Sequence, residues 1–186
     1  MTAKKIMGII ALVFCGGIGL FIFMLYATIK TKSTNINTNK PFKEWVGQTV
    51  TLHRQTFLFE ENIRMNTNGR YPYTLLDSLH PQWQYVEERK NLAEPDLVEI
   101  TSFPTGTKLR IEKATQYTNG VSGSSYPTVF GTIHHNGQEY KIAYQWGTQD
   151  IGRRFDKIKE SWKFHQAPWQ TQQDTVHYAL PDAKVW

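Results

Sequence analysis

The residue types able to do chemistry are scattered along this chain, and their spacing matters more than their number. The single cysteine, Cys15, lies inside an apolar run and cannot act as an aqueous nucleophile. Gly123-Ser124-Ser125 sits in a turn cluster, and no G-x-S-x-G phrase supplies the strained elbow of a serine hydrolase. His134 and His135 are neighbours; on a strand they point to opposite faces, and no H-x-x-x-H, H-x-H or C-x-x-C spacing supports them, so they read as polar flanks of a turn and not as metal ligands. Glu60 with Glu61, or Asp96 with Glu99, are carboxylate pairs of the kind used in acid–base catalysis, yet sequence neighbours of this type are ordinarily solvated loop charges. The glycine-rich phrases that cradle phosphate are missing. Neither a metal nor a cofactor is expected.

Any site must therefore be built by the larger elements, and the first of these is apolar. Ile6 to Ile29 contains no charged residue, and its 24 positions would reach roughly 36 Å as a helix, enough to cross a hydrocarbon layer of about 30 Å. Ile6, Leu12, Leu20, Phe21, Phe23 and Ile29 are the residues expected to face lipid. A cleaved signal peptide is the competing reading, but its apolar core is normally about 7 to 15 residues with a small-x-small cut site, and Leu25 stands where a small residue is wanted before Thr28. LVFC, ending at Cys15, misses a lipoprotein signal because Phe14 is bulky. The segment is read as an uncleaved anchor after a short tail, residues 1–5.

Net charge is +5 with a pI near 9.2, a balance that invites a nucleic-acid reading. Its location excludes one. Lys4, Lys5, Lys30, Lys32 and Lys40 flank the apolar run, whereas residues 41–186 hold the other 16 of 21 basic side chains against all 16 acidic ones. Lysines bracketing a membrane helix act as interfacial anchors for anionic headgroups, while a nucleic-acid-binding domain carries a basic stripe of its own. The lysine distribution argues against a cytoplasmic N-terminus, but short-tailed first helices usually insert tail-in and long domains translocate largely regardless of charge. The following domain is placed outside the cytoplasm, in the periplasm, on an inner (plasma) membrane protein that crosses once.

Residues 30–40, KTKSTNINTNK, lack an apolar face and read as a flexible linker. From residue 41 to 186 there is length for one domain with one core. Period-two alternation marks strands, most clearly in TVFGTIHHNGQEYKIAYQW, Thr128 to Trp146. Asn136-Gly137 is a strong type I′ turn signal, since both central residues need positive φ. That loop fixes a register: His135 opposite Gln138, Ile133 opposite Tyr140, Gly131 opposite Ile142 and Val129 opposite Tyr144 on one face, with Thr132 opposite Lys141 on the other. GTKLRIEK places Leu109 and Ile111 inward and follows a turn at Pro104 to Gly106; VEITSF supplies Val98 and Ile100. Upstream, alternation at Val50 and Leu52 resumes at Phe57 and Phe59, giving an antiparallel, strongly turned sheet.

This order of strands resembles the small five-stranded Src-homology-3-like barrels of bacterial envelope and cell-wall proteins. The residues that carry the resemblance are Phe103, Gly106, Thr107, Leu109 and Ile111, then Tyr140 and Ile142, within a core of about residues 46–147. Two features depart from the family: residues 60–97 exceed its first loop, and no clear Gly-Trp closing strand follows Trp146-Gly147. The implied class is all-β, mainly antiparallel, a small barrel with a long insertion behind one transmembrane helix. A C-terminal helix is predicted from Ile151, Phe155, Ile158 and Trp162, spaced four, three and four apart and stopped by Pro168. Its opposite side carries Arg153, Arg154, Lys157 and Lys159, the solvated face of a helix covering the barrel.

The resemblance implies recognition of an extended peptide or glycan along an aromatic-lined groove, because flat rings accept proline or sugar faces at little entropic cost. Tyr71, Pro72 and Tyr73 in the insertion, with Tyr117 and Tyr126 around GVSGSS, are the candidate ligand-binding residues; Tyr140, Tyr144 and Trp146 fall on the core side of the hairpin. The expected function is thus a membrane-anchored, non-catalytic binding or assembly module, with an envelope protein or peptidoglycan as partner and no nucleic acid. Two alternatives stand beside it: an envelope enzyme or hydrolase accessory with its groups in the 60–97 insertion, and a structural subunit of a membrane complex joined through Gly16, Gly17 and Gly19.

Overall fold

The computed structural model of the chain describes residues 3–61, 68–89, 92 and 97–182. The apolar run forms α1 (Ala3–Ile29), long and apolar enough to span a membrane and uncovered by the rest of the protein. Leu12, Leu20, Phe21, Phe23 and Ile29 are all exposed on it, while the side chain of Ile6 lies outside the described ones.

Only Lys30 and Thr31 separate α1 from β1 (Lys32–Asn35), so residues 30–40 are not the flexible linker that their polarity suggests. β1 pairs antiparallel with a long strand, β6 (Lys108–Thr118), matching Lys32 with Thr118 and Asn35 with Thr115. Alternation is present in the segment but is carried by one hydroxyl and one apolar residue: Thr34 and Ile36 are buried while Ser33 and Asn35 are exposed. Asn37 Oδ1 then accepts the Ala114 amide at 2.7 Å, and Phe42, in a short 3-10 turn at Phe42–Glu44, enters the core.

The remaining strands are β2 (Thr49–Thr51), β3 (Thr56–Glu61), β4 (Tyr73–Leu76), β5 (Leu97–Phe103), β7 (Ser125–His135) and β8 (Gln138–Gln145), with α2 (Trp83–Arg89) between β4 and β5. They form one sheet in the order β1-β6-β7-β8-β4-β3-β5, with β2 also pairing β6. A second sheet holds β9 (Thr148–Gln149), β10 (Glu160–Lys163) and β11 (Tyr178–Ala179) in the order β11-β10-β9. Both sheets are open, so the closed barrel expected from the strand order is not formed. Nor is the sheet wholly antiparallel, because β4 joins β8 in parallel, Tyr73 beside Ile142.

The β7–β8 hairpin has every pair expected of an Asn136-Gly137 turn, with φ of +49° and +79° at the two loop residues. Gly131 is needed for a different reason. A Cβ there would lie 2.4 Å from the Arg110 carbonyl oxygen on β6. In β5 the expected parity is reversed: Val98 and Ile100 are exposed, and Leu97 and Phe103 are the buried residues, since β5 is an edge strand whose pairing with β3 shifts register between Leu58 and Phe59.

The predicted C-terminal helix is the largest departure. Only α3 (Ile151–Phe155) is helical; Lys157 adopts φ of +58°, which ends the turn, and the chain leaves as β10. Trp162 is buried as a strand residue, while Ile151 and Phe155 are left exposed, so the four apolar positions never form one stripe. The main core packs Trp146, Phe164, Phe42, Trp162 and Trp169 with Ile36, Leu109, Ile111, Ile133 and Ile142 from the large sheet. Trp146, Phe164 and Phe42 meet edge-on in pairs at 5.1 to 5.4 Å. A satellite cluster, Phe59, Leu76, Val86 and Leu97, seats α2 on β3, β4 and β5.

Candidate functional site

Three of the five candidate ligand-binding residues, Tyr71, Tyr117 and Tyr126, come together on the outward face of the sheet, opposite the main core. Glu112 is the extra residue of a β-bulge in β6, between Ile111 and Lys113. The bulge resets the alternation, so Lys113 and Tyr117 point outward while Ala114 points in. Phe130 and Tyr126 of β7 share that outward face, as does Ala143 of β8, and Tyr71 folds onto them from the segment before β4. Tyr71 lies 4.8 Å from the Phe130 ring, and Tyr117 stacks on Tyr126 at 5.7 Å with planes 29° apart.

Burial separates what these rings can do. Tyr71 is 2% and Tyr117 7% exposed, so both are packing residues and not an open platform; Tyr126 and Pro72 are half-buried and remain at the surface. Tyr73 is absent from the group. It sits on β4 with its ring 6.1 Å from Tyr140 and packs against the main core with Leu75, two residues on along the strand, whereas Tyr71 precedes β4 and is not bound by its alternation.

Beside the rings is a bonded set of polar groups. The Tyr71 hydroxyl donates to Glu112 Oε2 at 2.6 Å, Thr132 Oγ1 donates to Glu112 Oε1 at 2.5 Å, and Lys141 Nζ donates to the same oxygen at 3.0 Å. Partial burial works against the Glu112 charge, but the bonds from Thr132, Tyr71 and Lys141 outweigh it and hold the carboxyl near a pKa of about 2. Burial, then the bond and charge of Glu112, push the Tyr71 hydroxyl up to about 12. Lys113 Nζ lies 4.9 Å from the Tyr71 ring centroid and 4.8 Å from that of Phe130. Burial lowers its pKa, and the charge of Arg70 adds to the effect. The result is a fixed carboxylate, two ammonium groups and an aromatic edge in one patch, an arrangement that can hydrogen-bond and stack against a polar polymer but contains no nucleophile set against a base.

A second polar group lies inside the fold, assembled from residues whose spacing carries no signal of it. Asp77, just after β4, is fully buried; Arg54 Nε donates to its Oδ2 at 2.8 Å, and Arg54 Nη2 donates to the Gln166 carbonyl at 2.8 Å. The Tyr144 hydroxyl donates to Asp77 Oδ1 at 3.3 Å and meets His165 Nε2 at 3.0 Å. Since that hydroxyl proton goes to the carboxylate, His165 carries its proton on Nε2, leaving Nδ1 buried without a partner. His80 is satisfied at both nitrogens, by the Gln145 carbonyl at 2.8 Å and the Gln82 amide at 3.1 Å. Burial, followed by the charges of His80 and Arg54, drives His165 down to a pKa of about 3, and burial likewise lowers His80. Tyr144 and Asp77 are wholly enclosed, so this network ties β4, β8 and the chain after β10 together.

The other candidates are dispersed. His134 is exposed and 3.7 Å from Glu139, whereas the His135 ring packs 5.4 Å from Phe103. Among the described residues no group of three His, Cys, Asp or Glu side chains is placed to hold a metal. Glu60 sits half-buried within β3, Glu99 is exposed on β5, and Asp96 lies outside the described residues. The sequence signals for the outward patch were the Thr132–Lys141 pair in the hairpin register and the polar positions of GTKLRIEK; the bulge that adds Lys113 to them had none. The chain matches no protein-family model, and no curated protein or solved structure is significantly similar to it, so its function must be argued from its own residues.

Proposed function

We propose that the protein is a membrane-anchored, non-catalytic binding or assembly module of the cell envelope, with its β-domain on the extracytoplasmic side of the inner membrane. Its kinship with Src-homology-3-like modules belongs to the same proposal and rests on the Phe103 to Ile111 phrase with Tyr140 and Ile142. The ligand is an extended peptide, a protein segment or a cell-wall glycan, held against Tyr126, Lys113, Lys141 and Glu112. One observation carries the reading: the outward face of β6, β7 and β8 holds a carboxylate bonded to three side chains beside a tyrosine–phenylalanine cluster. A merely solvated sheet face has no need of buried outward tyrosines or of a carboxylate fixed by three donors. Rings with adjacent fixed donors and acceptors suit a polymer with both flat and polar surfaces.

The test uses the full chain in nanodiscs, mixed with purified peptidoglycan or with detergent-solubilised envelope proteins. Retention by one of these, weakened about tenfold by Tyr126→Ala combined with Lys141→Ala, supports the proposal, tenfold being the loss of about 1.4 kcal/mol of contact. Retention by neither removes it. Soluble fragments released from peptidoglycan would replace it with the enzyme alternative. Reporter fusion at the C-terminus reads the compartment of the domain directly.

A further inference from the structure

On the anchored reading, the end of the domain beside α1 is its membrane end, and two of its loops expose apolar side chains there. The first is the β6–β7 turn, residues 119–124. It abuts the end of α1 so closely that a Cβ on Gly120 would lie 2.3 Å from the Thr28 carbonyl oxygen and 2.6 Å from that of Ile29. The next residue, Val121, is 76% exposed.

The second is α3 with the turn that follows it, and chain direction places it at the same end. Lys32, Thr118 and Ser125 form the row of the large sheet nearest α1, and Thr34, Gln116 and Pro127 lie two rows beyond. Gln116 Nε2 donates to the Pro181 carbonyl at 3.0 Å, which fixes the end of β11 at that level. Glu160, the first residue of β10, pairs with Ala179, two residues before Pro181, so β10 begins near that level. From there β10 leads to Pro168, whose carbonyl accepts the His53 amide, two residues past the far end of β2. β9 is antiparallel to β10 and so runs toward the membrane end, delivering the chain to Asp150, the N-cap of α3. Arg153 Nε closes the arrangement on the Glu160 carbonyl at 2.7 Å.

At that end Ile151 is 74% and Phe155 86% exposed, the latter the most exposed large apolar side chain of the β-domain among the described residues. Arg154, Lys157 and Lys159 surround them, against Asp156 and Glu160. An aromatic and an aliphatic residue ringed by basic ones is the composition of an interfacial contact, in which apolar tips enter the acyl boundary and cations meet phosphate. Resting on the anchored reading above, we propose that residues 151–159 and the 119–124 turn form a second membrane contact, binding the anionic phospholipid surface that α1 crosses. Ile151, Phe155 and Val121 enter the headgroup region, and Arg154, Lys157 and Lys159 lie against the phosphates. The contact fixes the tilt of the domain and points its outward patch along the membrane surface or away from it, instead of leaving it to rotate.

Full-length chain in vesicles of zwitterionic and anionic phospholipid, with nitroxide quencher attached to the lipid, tests this. Native Cys15 labelled with a polarity-sensitive fluorophore reports the anchor. In a Cys15→Ser background, Asp156→Cys and Ser122→Cys report the two loops, and Thr105→Cys reports the far end. Quenching at 156 and 122 at least about twofold above that at 105, as expected for residues within the headgroup boundary, supports the contact. Ile151→Ser with Phe155→Ser should then abolish it at 156, and Arg154→Gln, Lys157→Gln and Lys159→Gln together should reduce it on anionic vesicles only. These side chains are exposed, so the fold is retained. Equal quenching at 156, 122 and 105 with Cys15 strongly quenched overturns the contact and leaves the anchor intact; an unquenched Cys15 overturns both.

Discussion

Arg54 Nε donates to Asp77 Oδ2 at 2.8 Å, joining a one-fifth-exposed guanidinium to a carboxylate with no solvent access. The pair spans the segment after β2 and the end of β4, and the second guanidinium bond, to the Gln166 carbonyl, brings in the chain after β10. Breaking a buried pair by removing one partner leaves the other charge uncompensated, at a cost of about 3–5 kcal/mol. Asp77→Ala should destabilise the domain by that amount, because the Tyr144 hydroxyl also loses its acceptor. Denaturant unfolding of the full chain in detergent, followed by tryptophan fluorescence, measures it. A loss under about 1 kcal/mol would show the pair to be dispensable.

The same network sets an acid limit. His165 has a folded pKa of about 3 against an ordinary 6.5, so between those values the unfolded chain binds a proton that the folded chain refuses. For a depressed pKa the stability is complete above 6.5 and is lost as pH falls toward 3. Glu112 adds a second loss, between 4.5 and about 2, as its carboxylate is protonated and the bonds from Thr132, Tyr71 and Lys141 weaken. His165→Gln should shrink the upper part of the decline, leaving the share that His80 contributes, and so give a flatter pH–stability curve below 6.5 even where its stability at neutral pH is lower. Parallel curves for the two proteins would mean that His165 does not titrate on unfolding.

How far the sequence could be read depended on whether each signal was local. The β7–β8 hairpin was legible to the residue because a turn demanding positive φ and an alternating pattern specify the same register independently. α1 was legible from length and apolarity alone. The 151–162 segment misled because spacings of four, three and four also arise when a single helical turn is followed by a strand; the positive φ at Lys157 that divides them has no marker in a lysine. β1 was hidden since a hydroxyl, Thr34, occupies its buried position. The interior network was beyond reach for another reason: Arg54, Asp77, His80, Tyr144 and His165 are remote in sequence, and only the fold brings them together. The aromatic patch fell between these cases: of the five candidates, Tyr71, Tyr117 and Tyr126 share one cluster, two of them buried, while Tyr73 packs on the main core.

Gly131 is expected to be irreplaceable for steric reasons. Besides the Arg110 oxygen at 2.4 Å, a Cβ would meet Leu109 Cδ1 at 2.8 Å, so alanine must push β6 and β7 apart where they are paired. Overpacking of this sort costs about 1–3 kcal/mol, and a backbone oxygen that cannot move without breaking the ladder argues for the upper end. Gly137→Ala is the comparison, having open space but φ of +79°, and should cost about 1 kcal/mol. Unfolding midpoints that rank the two the other way would contradict the packing described for β6 and β7.

Gly120 tests whether the sheet is mounted rigidly on α1. Two restraints act at this joint: β1 begins three residues after α1 ends, and the 119–124 turn seats on the Thr28 and Ile29 carbonyls. Alanine at 120 cannot occupy the present position, since its Cβ would meet backbone oxygens at 2.3 and 2.6 Å, so the turn must lift from the helix. The core does not include this residue, and the unfolding free energy of the domain should change by less than about 0.5 kcal/mol. Orientation should suffer instead. With spin labels on Cys15 and Ser122→Cys in nanodiscs, the native chain should give one narrow distance distribution and Gly120→Ala a broader one displaced to longer distance. A broad native distribution would mean that the two residues between helix and strand act as a hinge, and that pairing of β1 with β6 does not hold the domain against α1.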